Sequence, residues 1–129
     1  MSSNQTAVIE ETATARKRVL VVDDEPVIRA LIAASFDGSG VDVSLAEDGA
    51  GALLAVVRET PDLVLLDVSM PGLSGVEVLG RLRADASTAR IPVVLLTGLE
   101  PPSDVAPDAV LRKPFTLTSL RASVATFLE

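Results

Sequence analysis

Four polar features of the sequence stand at the ends of short apolar runs, where their side chains could meet and do chemistry. They are the pair Asp23-Asp24, then Asp67, Thr97 and Lys113. If the runs are neighbouring strands of a parallel sheet, their carboxyl ends share one edge, and open α/β sheets bind ligands at that edge. We therefore expect the four features to lie together in a single site.

Three carboxylates that converge on one edge repel one another. At about 4 Å and an effective dielectric constant near 20, each close pair costs on the order of 4 kcal/mol. A bound cation relieves that repulsion, and because the chain contains neither His nor Cys, the oxygen ligands favour Mg²⁺ or Mn²⁺ over zinc. The ammonium of Lys113 and the hydroxyl of Thr97 add donors for an anion. A cation, anion donors and a carboxylate are together what phosphoryl transfer onto an aspartate requires.

Five apolar runs predict the strands that carry these residues. Four of the runs are continuous, which is typical of strands buried on both faces, whereas the run over 41–45 alternates and suits a place near the sheet edge. The predicted strands cover 19–22, 41–45, 63–66, 91–96 and 109–111. Helical patterns lie between them, and right-handed crossovers place such helices on both faces of a sheet. The sequence therefore predicts an α/β fold with one doubly wound, five-stranded parallel sheet.

The helices are predicted from capping residues and apolar spacing. Pro26 suits the first turn of a helix, and Ser74 with Glu77 three residues on forms a capping box for another. Thr116 or Thr118 is expected to cap the last helix. The residues assigned to the inward faces of the first two helices are Val27, Ile28, Leu31, Ile32, Leu53, Val56 and Val57.

The composition limits what the protein can be. A chain of 129 residues is one domain, and with 2% aromatic residues its core has to be built from Val, Leu, Ile and Ala. The net charge of -7 argues against binding to nucleic acid or to an anionic membrane. The lack of Cys excludes a disulfide framework, and no apolar run approaches the roughly 20 residues that span a bilayer. We expect a cytoplasmic protein with a flexible tail over residues 1–17.

Over about 19–128, the sequence resembles the receiver domain of bacterial two-component response regulators. The motifs that carry the resemblance are Leu20-Val21-Val22-Asp23-Asp24-Glu25, Leu66-Asp67-Val68-Ser69-Met70-Pro71-Gly72, Leu95-Leu96-Thr97-Gly98 and Lys113-Pro114-Phe115. Each motif is weak alone, but all four in this order, each at a strand end, are specific. The resemblance implies a flavodoxin-like sheet with strand order 2-1-3-4-5. It also implies a receiver domain over 18–129, and we expect no output domain.

The resemblance implies a role for each acidic residue of the site. Asp67 would be the phosphoacceptor and one of the metal ligands. Asp24 would bind Mg²⁺ directly, and Asp23 would bind it largely through water. The main-chain carbonyl of Ser69 would supply a further ligand.

The same resemblance implies roles for the two donors. Lys113 would pair with the phosphoryl oxygens, and its bond to Pro114 would be cis, as is usual in the family. Thr97 would move to bond the phosphoryl group. Val110 departs from the family, because receivers usually carry at this position an aromatic residue whose ring rotation follows the Thr97 movement.

The segment between Thr97 and Val110 is a second departure. It is shorter than usual in the family and contains Pro101, Pro102 and Pro107. Prolines at this density oppose a helix, so we expect the fourth crossover helix to be absent or reduced to a loop. That helix normally belongs to the dimerisation and output face of a receiver.

One function leads and two alternatives remain. The leading function is a phosphoacceptor that takes a phosphoryl group from a histidine kinase or histidine phosphotransfer protein, and then acts as a relay, a sink or a switch on an unknown protein. It would not be an enzyme beyond self-phosphorylation and slow autodephosphorylation. The first alternative is a pseudo-receiver that binds its partner without phosphorylation, which Val110 favours. The second, a haloacid-dehalogenase-like phosphatase, is disfavoured because Ser69 stands where such enzymes place a second aspartate.

Overall fold

The computed structural model describes residues 16–129, which form five parallel strands in a single sheet of order β2-β1-β3-β4-β5. The strands are β1 (Arg18–Val22), β2 (Asp42–Ala46), β3 (Leu63–Asp67), β4 (Val93–Thr97) and β5 (Ala109–Arg112). This order confirms the predicted flavodoxin-like sheet. The predicted tail lies mostly outside the described residues, although Arg16 is described and pairs with Asp42 of the edge strand at 2.9 Å.

Within residues 16–129, four α-helices flank the sheet, and three of them begin at a side chain that caps the first turn. The helices are α1 (Pro26–Ala34), α2 (Gly49–Glu59), α3 (Gly75–Ala84) and α4 (Leu117–Ala125), which continues as a 3₁₀ turn over Thr126–Leu128. The predicted capping box is present at α3, where Ser74 Oγ accepts the Glu77 N–H and Glu77 Oε1 accepts the Ser74 N–H. Thr116, rather than Thr118, caps α4.

The central strand β3 divides the core into two layers. All five of its residues are buried, and alternate side chains point to opposite faces, as expected of a strand. Val64 and Leu66 pack with residues of α2 and α3, whereas Leu63 and Leu65 pack with residues of α1 and α4. The two covered faces hold β3 rigidly, and the strand ends at Asp67.

The predicted inward face of the first two helices is wrong at three positions. Val27 is 77% exposed, Leu31 is 45% exposed and Val57 is 76% exposed. In α1 the residues that pack on the sheet are Ile28 and Ile32, which are one helical turn apart. Val27 and Leu31 each precede one of them by one position and are therefore rotated toward solvent. In α2 the covered line runs through Ala52 and Val56, and Val57 lies beyond it.

The crossover from β4 to β5 contains no helix, as the prolines predicted. The guanidinium of Arg83 in α3 holds this segment instead, through a 2.7 Å bond to Asp108 and a 3.4 Å bond to the carbonyl of Ala106. Two further bonds from the same guanidinium reach the carbonyls of Ala89 and Ile91, in the loop that leads into β4. Asp108 also accepts the N–H of Val93 at 2.7 Å, which ties the crossover to the start of β4. Polar bonds therefore fix a segment that a packed helix usually fixes.

Candidate functional site

The carboxyl ends of β1 and β3 bring the three predicted acidic residues together. Asp23 follows β1 directly, and Asp67 is the last residue of the neighbouring strand β3. Carboxylate oxygens of Asp23, Asp24 and Asp67 all lie within 4.8 Å of one another. The sequence-based expectation of a single acidic site at this edge therefore agrees with the geometry.

Lys113 lies among these carboxylates. Its Nζ is 3.1 Å from Oδ2 of Asp23, 3.3 Å from Oδ1 of Asp67 and 3.8 Å from Oε1 of Glu25. Its main-chain N–H donates to the Thr97 carbonyl at 2.8 Å, so the end of β4 fixes the lysine backbone. The Lys113–Pro114 peptide is cis. Burial acts to lower the pKa of Lys113, but the two aspartates outweigh it and the pKa is raised, which keeps the side chain charged.

The two oxygens of Asp67 have different surroundings. Oδ1 accepts bonds from Lys113 Nζ and from the Ser69 N–H, each at 3.3 Å. No described residue donates to Oδ2. Because no buried side-chain oxygen of residues 16–129 lacks a partner, Oδ2 has to reach solvent even though Asp67 as a whole is only 3% exposed. One oxygen is thus held by the protein, and the other is presented to a ligand.

The surroundings of Asp67 also change its acidity. Burial raises the pKa of this carboxyl to about 6, and the neighbouring charge of Asp23 adds to the effect. Lys113 and the Ser69 N–H lower the pKa but do not compensate. Carboxyl groups with a perturbed pKa are concentrated at functional sites, because catalysis and ligand binding require buried charges that do not stabilise the fold.

Asp23 is completely buried and fully bonded. Its Oδ1 accepts the Glu25 N–H at 2.9 Å, and its Oδ2 accepts Lys113 Nζ. Its carbonyl oxygen accepts Nη1 of Arg29 at 2.6 Å. Sequence reasoning missed Arg29, although an arginine one turn into the helix that follows an acidic pair is the kind of residue that can reach back to it.

Thr97 occupies the predicted strand end, but its hydroxyl is turned to its own loop. Oγ1 donates to the Leu99 carbonyl at 2.9 Å and accepts the Leu99 N–H at 3.0 Å. Arg112 braces the same loop through the Gly98 carbonyl at 3.3 Å and Glu100 at 2.8 Å. The structure therefore brings the carboxylates and Lys113 together, and leaves the hydroxyl of Thr97 bonded elsewhere.

Gly75 is a second residue that sequence reasoning missed. A Cβ at this position would lie 2.2 Å from the carbonyl oxygen of Asp67 and 2.8 Å from Cα of Val68. The Gly75 N–H donates to the Val68 carbonyl at 2.9 Å, so α3 begins in direct backbone contact with the acceptor strand. The available signal was a glycine at the first position of a helix, where its low helix propensity is a cost.

This geometry agrees with a comparison against known families. A family model described as the response regulator receiver domain matches residues 19–125. The chain belongs to the response regulator receiver family. Receivers are signalling domains of two-component systems, and the four motifs that carried the resemblance lie inside the matched residues.

Similar proteins support the same assignment. The receiver is 39% identical over 122 residues to the DNA-binding response regulator MtrA of Mycolicibacterium smegmatis, covering 90% of this chain and 52% of MtrA. It is 37% identical to the DNA-binding regulator RpaA of Synechocystis, covering 87% of this chain and 49% of RpaA. The chain thus spans about half the length of these curated relatives.

Solved structures share the fold of the receiver. The chemotaxis protein CheY4 of Vibrio cholerae superposes with a TM-score of 0.81 at 28% identity, covering 88% of this chain and all of CheY4. The receiver domain of the histidine kinase PA1611 from Pseudomonas aeruginosa gives 0.79 at 28% identity, covering 88% and 98%. That structure has a magnesium ion coordinated in its active-site cleft.

Membrane spans were also sought among the helices of residues 16–129. No helix in this part of the chain has the length and hydropathy of a membrane span.

Proposed function

We propose that this receiver accepts a phosphoryl group on Asp67 from a histidine kinase or a histidine phosphotransfer protein, in the cytoplasm and with Mg²⁺. The observation that carries the proposal is the asymmetry of Asp67, whose Oδ1 is held by Lys113 while Oδ2 reaches solvent inside an acidic cluster. The receiver would then act as a relay, as a sink, or as a switch on a separate protein.

The proposed step is a displacement at phosphorus. Oδ2 of Asp67 attacks the phosphoryl group of a phosphohistidine, so that an O–P bond forms while the P–N bond breaks. The electron pair of the P–N bond goes to the imidazole nitrogen, which then takes up a proton. The carboxylate, not the carboxylic acid, is the nucleophile. Because the pKa of Asp67 is raised in the metal-free receiver, a bound cation would favour the reactive, ionised form.

The acidic residues fit a divalent cation. All the available side-chain donors are oxygens, which suits Mg²⁺, and three carboxylates beside one ammonium leave an excess of negative charge. Asp24, Asp67 and the main-chain carbonyl of Ser69 would hold the ion. Asp23 would act through water, because Glu25 and Lys113 already occupy both of its oxygens. When bound, the ion would neutralise charge on the phosphoryl oxygens; Mn²⁺ suits the same donors.

Lys113 and Thr97 would act on the phosphoryl group. Lys113 already contacts the acceptor and would pair with a phosphoryl oxygen. Thr97 would have to give up both of its bonds to Leu99 before its hydroxyl could donate to the same group. Phosphorylation would therefore be coupled to the loop that follows β4, with Val110 in β5 supplying no ring to rotate.

The surface next to the site suits a protein donor. Val27 and Leu31 are exposed apolar residues of α1, and Leu31 borders a recess of about 320 Å³ beside Lys113. Its other lining residues are Ile28, Pro114 and Phe115. A protein that delivers a phosphoryl group to Asp67 has to cover this edge, so these side chains would be buried on docking.

The direct test is intact-mass spectrometry after incubation with acetyl phosphate, with and without Mg²⁺. We expect the wild type to gain one phosphoryl group only with Mg²⁺, and Asp67→Asn to gain none. Asp37→Asn is the matched control, because Asp37 is an exposed aspartate beyond the far end of α1. Phosphorylation of Asp67→Asn at the wild-type rate would overturn the assignment.

A second candidate is a pseudo-receiver that binds its partner without phosphorylation. Two observations favour it: the hydroxyl of Thr97 is already bonded to Leu99, and Val110 replaces the usual aromatic residue. The complete acidic cluster and Lys113 count against it. Equal affinity for a downstream partner with and without beryllofluoride, a mimic of the phosphoryl group, would favour this candidate.

A further inference from the structure

We propose that Arg29 is a positioning residue that fixes the peptide between Asp23 and Asp24 and so places Asp24 for the cation. The inference rests on the proposed function, since it concerns how the acidic loop is kept ready for Mg²⁺. Arg29 contacts none of the three carboxylates through a hydrogen bond among the described residues. It acts instead through the main chain.

The contacts of Arg29 bracket the acidic loop. Its Nη1 donates to the Asp23 carbonyl at 2.6 Å, and its main-chain N–H donates to the Glu25 carbonyl at 3.0 Å. The Asp23 carbonyl belongs to the peptide unit that leads into Asp24. A fixed carbonyl therefore fixes the plane from which the Asp24 side chain leaves the backbone.

Asp24 depends on this support more than Asp23 does. Asp23 is held at both carboxylate oxygens and at its N–H, which donates to the Ala46 carbonyl at 3.2 Å. No hydrogen bond from another described residue reaches the side chain of Asp24. On the other side of the loop, the Glu25 N–H is bonded to Asp23, but the Glu25 side chain makes no capping bond at the start of α1. The backbone therefore places the Asp24 side chain, and the Asp23–Asp24 peptide is the part of that backbone that Arg29 holds.

Charge and position have opposite effects here, which makes the inference testable. The positive guanidinium beside an acidic cluster weakens cation binding by electrostatic repulsion. Removing it should tighten Mg²⁺ binding if charge is all that matters. Removing it should weaken Mg²⁺ binding if its bond to the Asp23 carbonyl positions Asp24, and residues that hold a metal ligand in place affect metal affinity by about tenfold or more.

The experiment measures the Mg²⁺ dissociation constant by calorimetry for the wild type, Arg29→Met, Arg29→Lys and Arg90→Met. Arg90 is the control, because it is exposed and lies near the amino end of β4, whereas the site lies at the carboxyl ends of the strands. Its substitution by Met changes the net charge by the same amount. We expect Arg29→Met to bind Mg²⁺ about tenfold more weakly. We expect Arg90→Met to match the wild type and Arg29→Lys to lie between.

Each outcome decides the question. Unchanged or tighter Mg²⁺ binding in a folded Arg29→Met overturns the inference and leaves the proposed function intact. If thermal unfolding shows that Arg29→Met does not fold, Arg29→Lys decides, and wild-type affinity in that variant overturns the inference. A wild type that binds no Mg²⁺ at all overturns the metal part of the proposed function itself.

Discussion

The ammonium of Lys113 lies 3.3 Å from Oδ1 of Asp67, yet the pKa of that carboxyl is raised to about 6. Burial is the main cause, and the charge of Asp23 adds to it, because both disfavour the ionised form. A single ammonium shared with Asp23 does not balance these effects. The folded receiver therefore holds its acceptor in an electrostatically unfavourable state at neutral pH.

The unfavourable ionised state of Asp67 predicts that Asp67→Asn stabilises the metal-free fold. The gain should be present at neutral pH and absent at acidic pH. The folded carboxyl titrates near 6 and the unfolded one near 3.8, so ionisation weakens the fold as the pH rises through that interval. At pH values above 7 the variant should gain on the order of 2 kcal/mol in free energy of unfolding, and near pH 3.5 roughly nothing.

Urea unfolding in EDTA, followed by far-ultraviolet circular dichroism because the chain has no Trp or Tyr, measures the effect. Asp37→Asn, which removes an exposed carboxylate, is the control for the loss of one negative charge. An equal gain for Asp67→Asn at both pH values would contradict the electrostatic account.

Lys113→Met should destabilise the metal-free receiver and make its stability depend on Mg²⁺. The substitution leaves two buried carboxylates, Asp23 and Asp67, without their cation, and breaking a buried pair costs roughly 3 kcal/mol. A divalent cation supplies the missing positive charge. We therefore expect millimolar Mg²⁺ to raise the melting temperature of Lys113→Met more than that of the wild type.

Lys17→Met is the control for the previous prediction, since it removes the other lysine of the chain at the start of the fold. Its melting temperature should respond to Mg²⁺ as the wild type does. A Lys113→Met variant that is as stable as the wild type in EDTA would show that the ammonium contributes nothing to the folded state.

Arg83→Ala should loosen the crossover between β4 and β5. The variant removes the bonds to Asp108 and to the Ala106 carbonyl, in a segment where no helix supplies packing. It also removes two bonds to carbonyls of the loop before β4. We expect a loss of about 2 kcal/mol in free energy of unfolding, within the range for partly buried charged hydrogen bonds. Limited proteolysis should cut faster within 98–108.

Arg81→Ala is the matched control, because Arg81 is an exposed arginine of the same helix with no hydrogen bond to another described residue. Equal proteolysis of the two variants would mean that the prolines alone hold the crossover.

The sequence predicted the strands and the clustering of the three aspartates well because their signals are local. Continuous apolar runs of strand length, such as Leu63–Leu66, have few other uses, and parallel pairing brings their carboxyl ends together. Burial of the helices was predicted less well. Val27 and Val57 have the apolar spacing of a core face, but spacing does not reveal how far the sheet extends beneath a helix.

Contacts to the backbone are harder to predict from the sequence than clusters of side chains. Arg29 acts on a carbonyl oxygen, and the hydroxyl of Thr97 bonds the backbone of Leu99, so neither contact has a partner that a side-chain motif could reveal. The orientation of Thr97 depends on the loop conformation after β4. Such contacts follow from three-dimensional geometry alone.

Two glycines of α3 should respond to alanine with opposite signs. At Gly75 a Cβ would lie 2.2 Å from the Asp67 carbonyl oxygen, so that α3 would have to move away from the acceptor strand. At Gly80, in the same helix, a Cβ would meet no atom within 4 Å. Gly75→Ala should lower the free energy of unfolding by about 2 kcal/mol or more, as overpacking does.

Gly80→Ala should raise the free energy of unfolding by up to about 1 kcal/mol, because alanine restricts the unfolded chain and favours the helix. Urea unfolding of both variants, with acetyl phosphate labelling of each, measures stability and acceptor geometry together. Gly75→Ala should also be labelled more slowly, since its displaced helix adjoins the backbone of Asp67. If both variants shifted stability in the same direction, the close approach of α3 to β3 would not be what selects glycine at position 75.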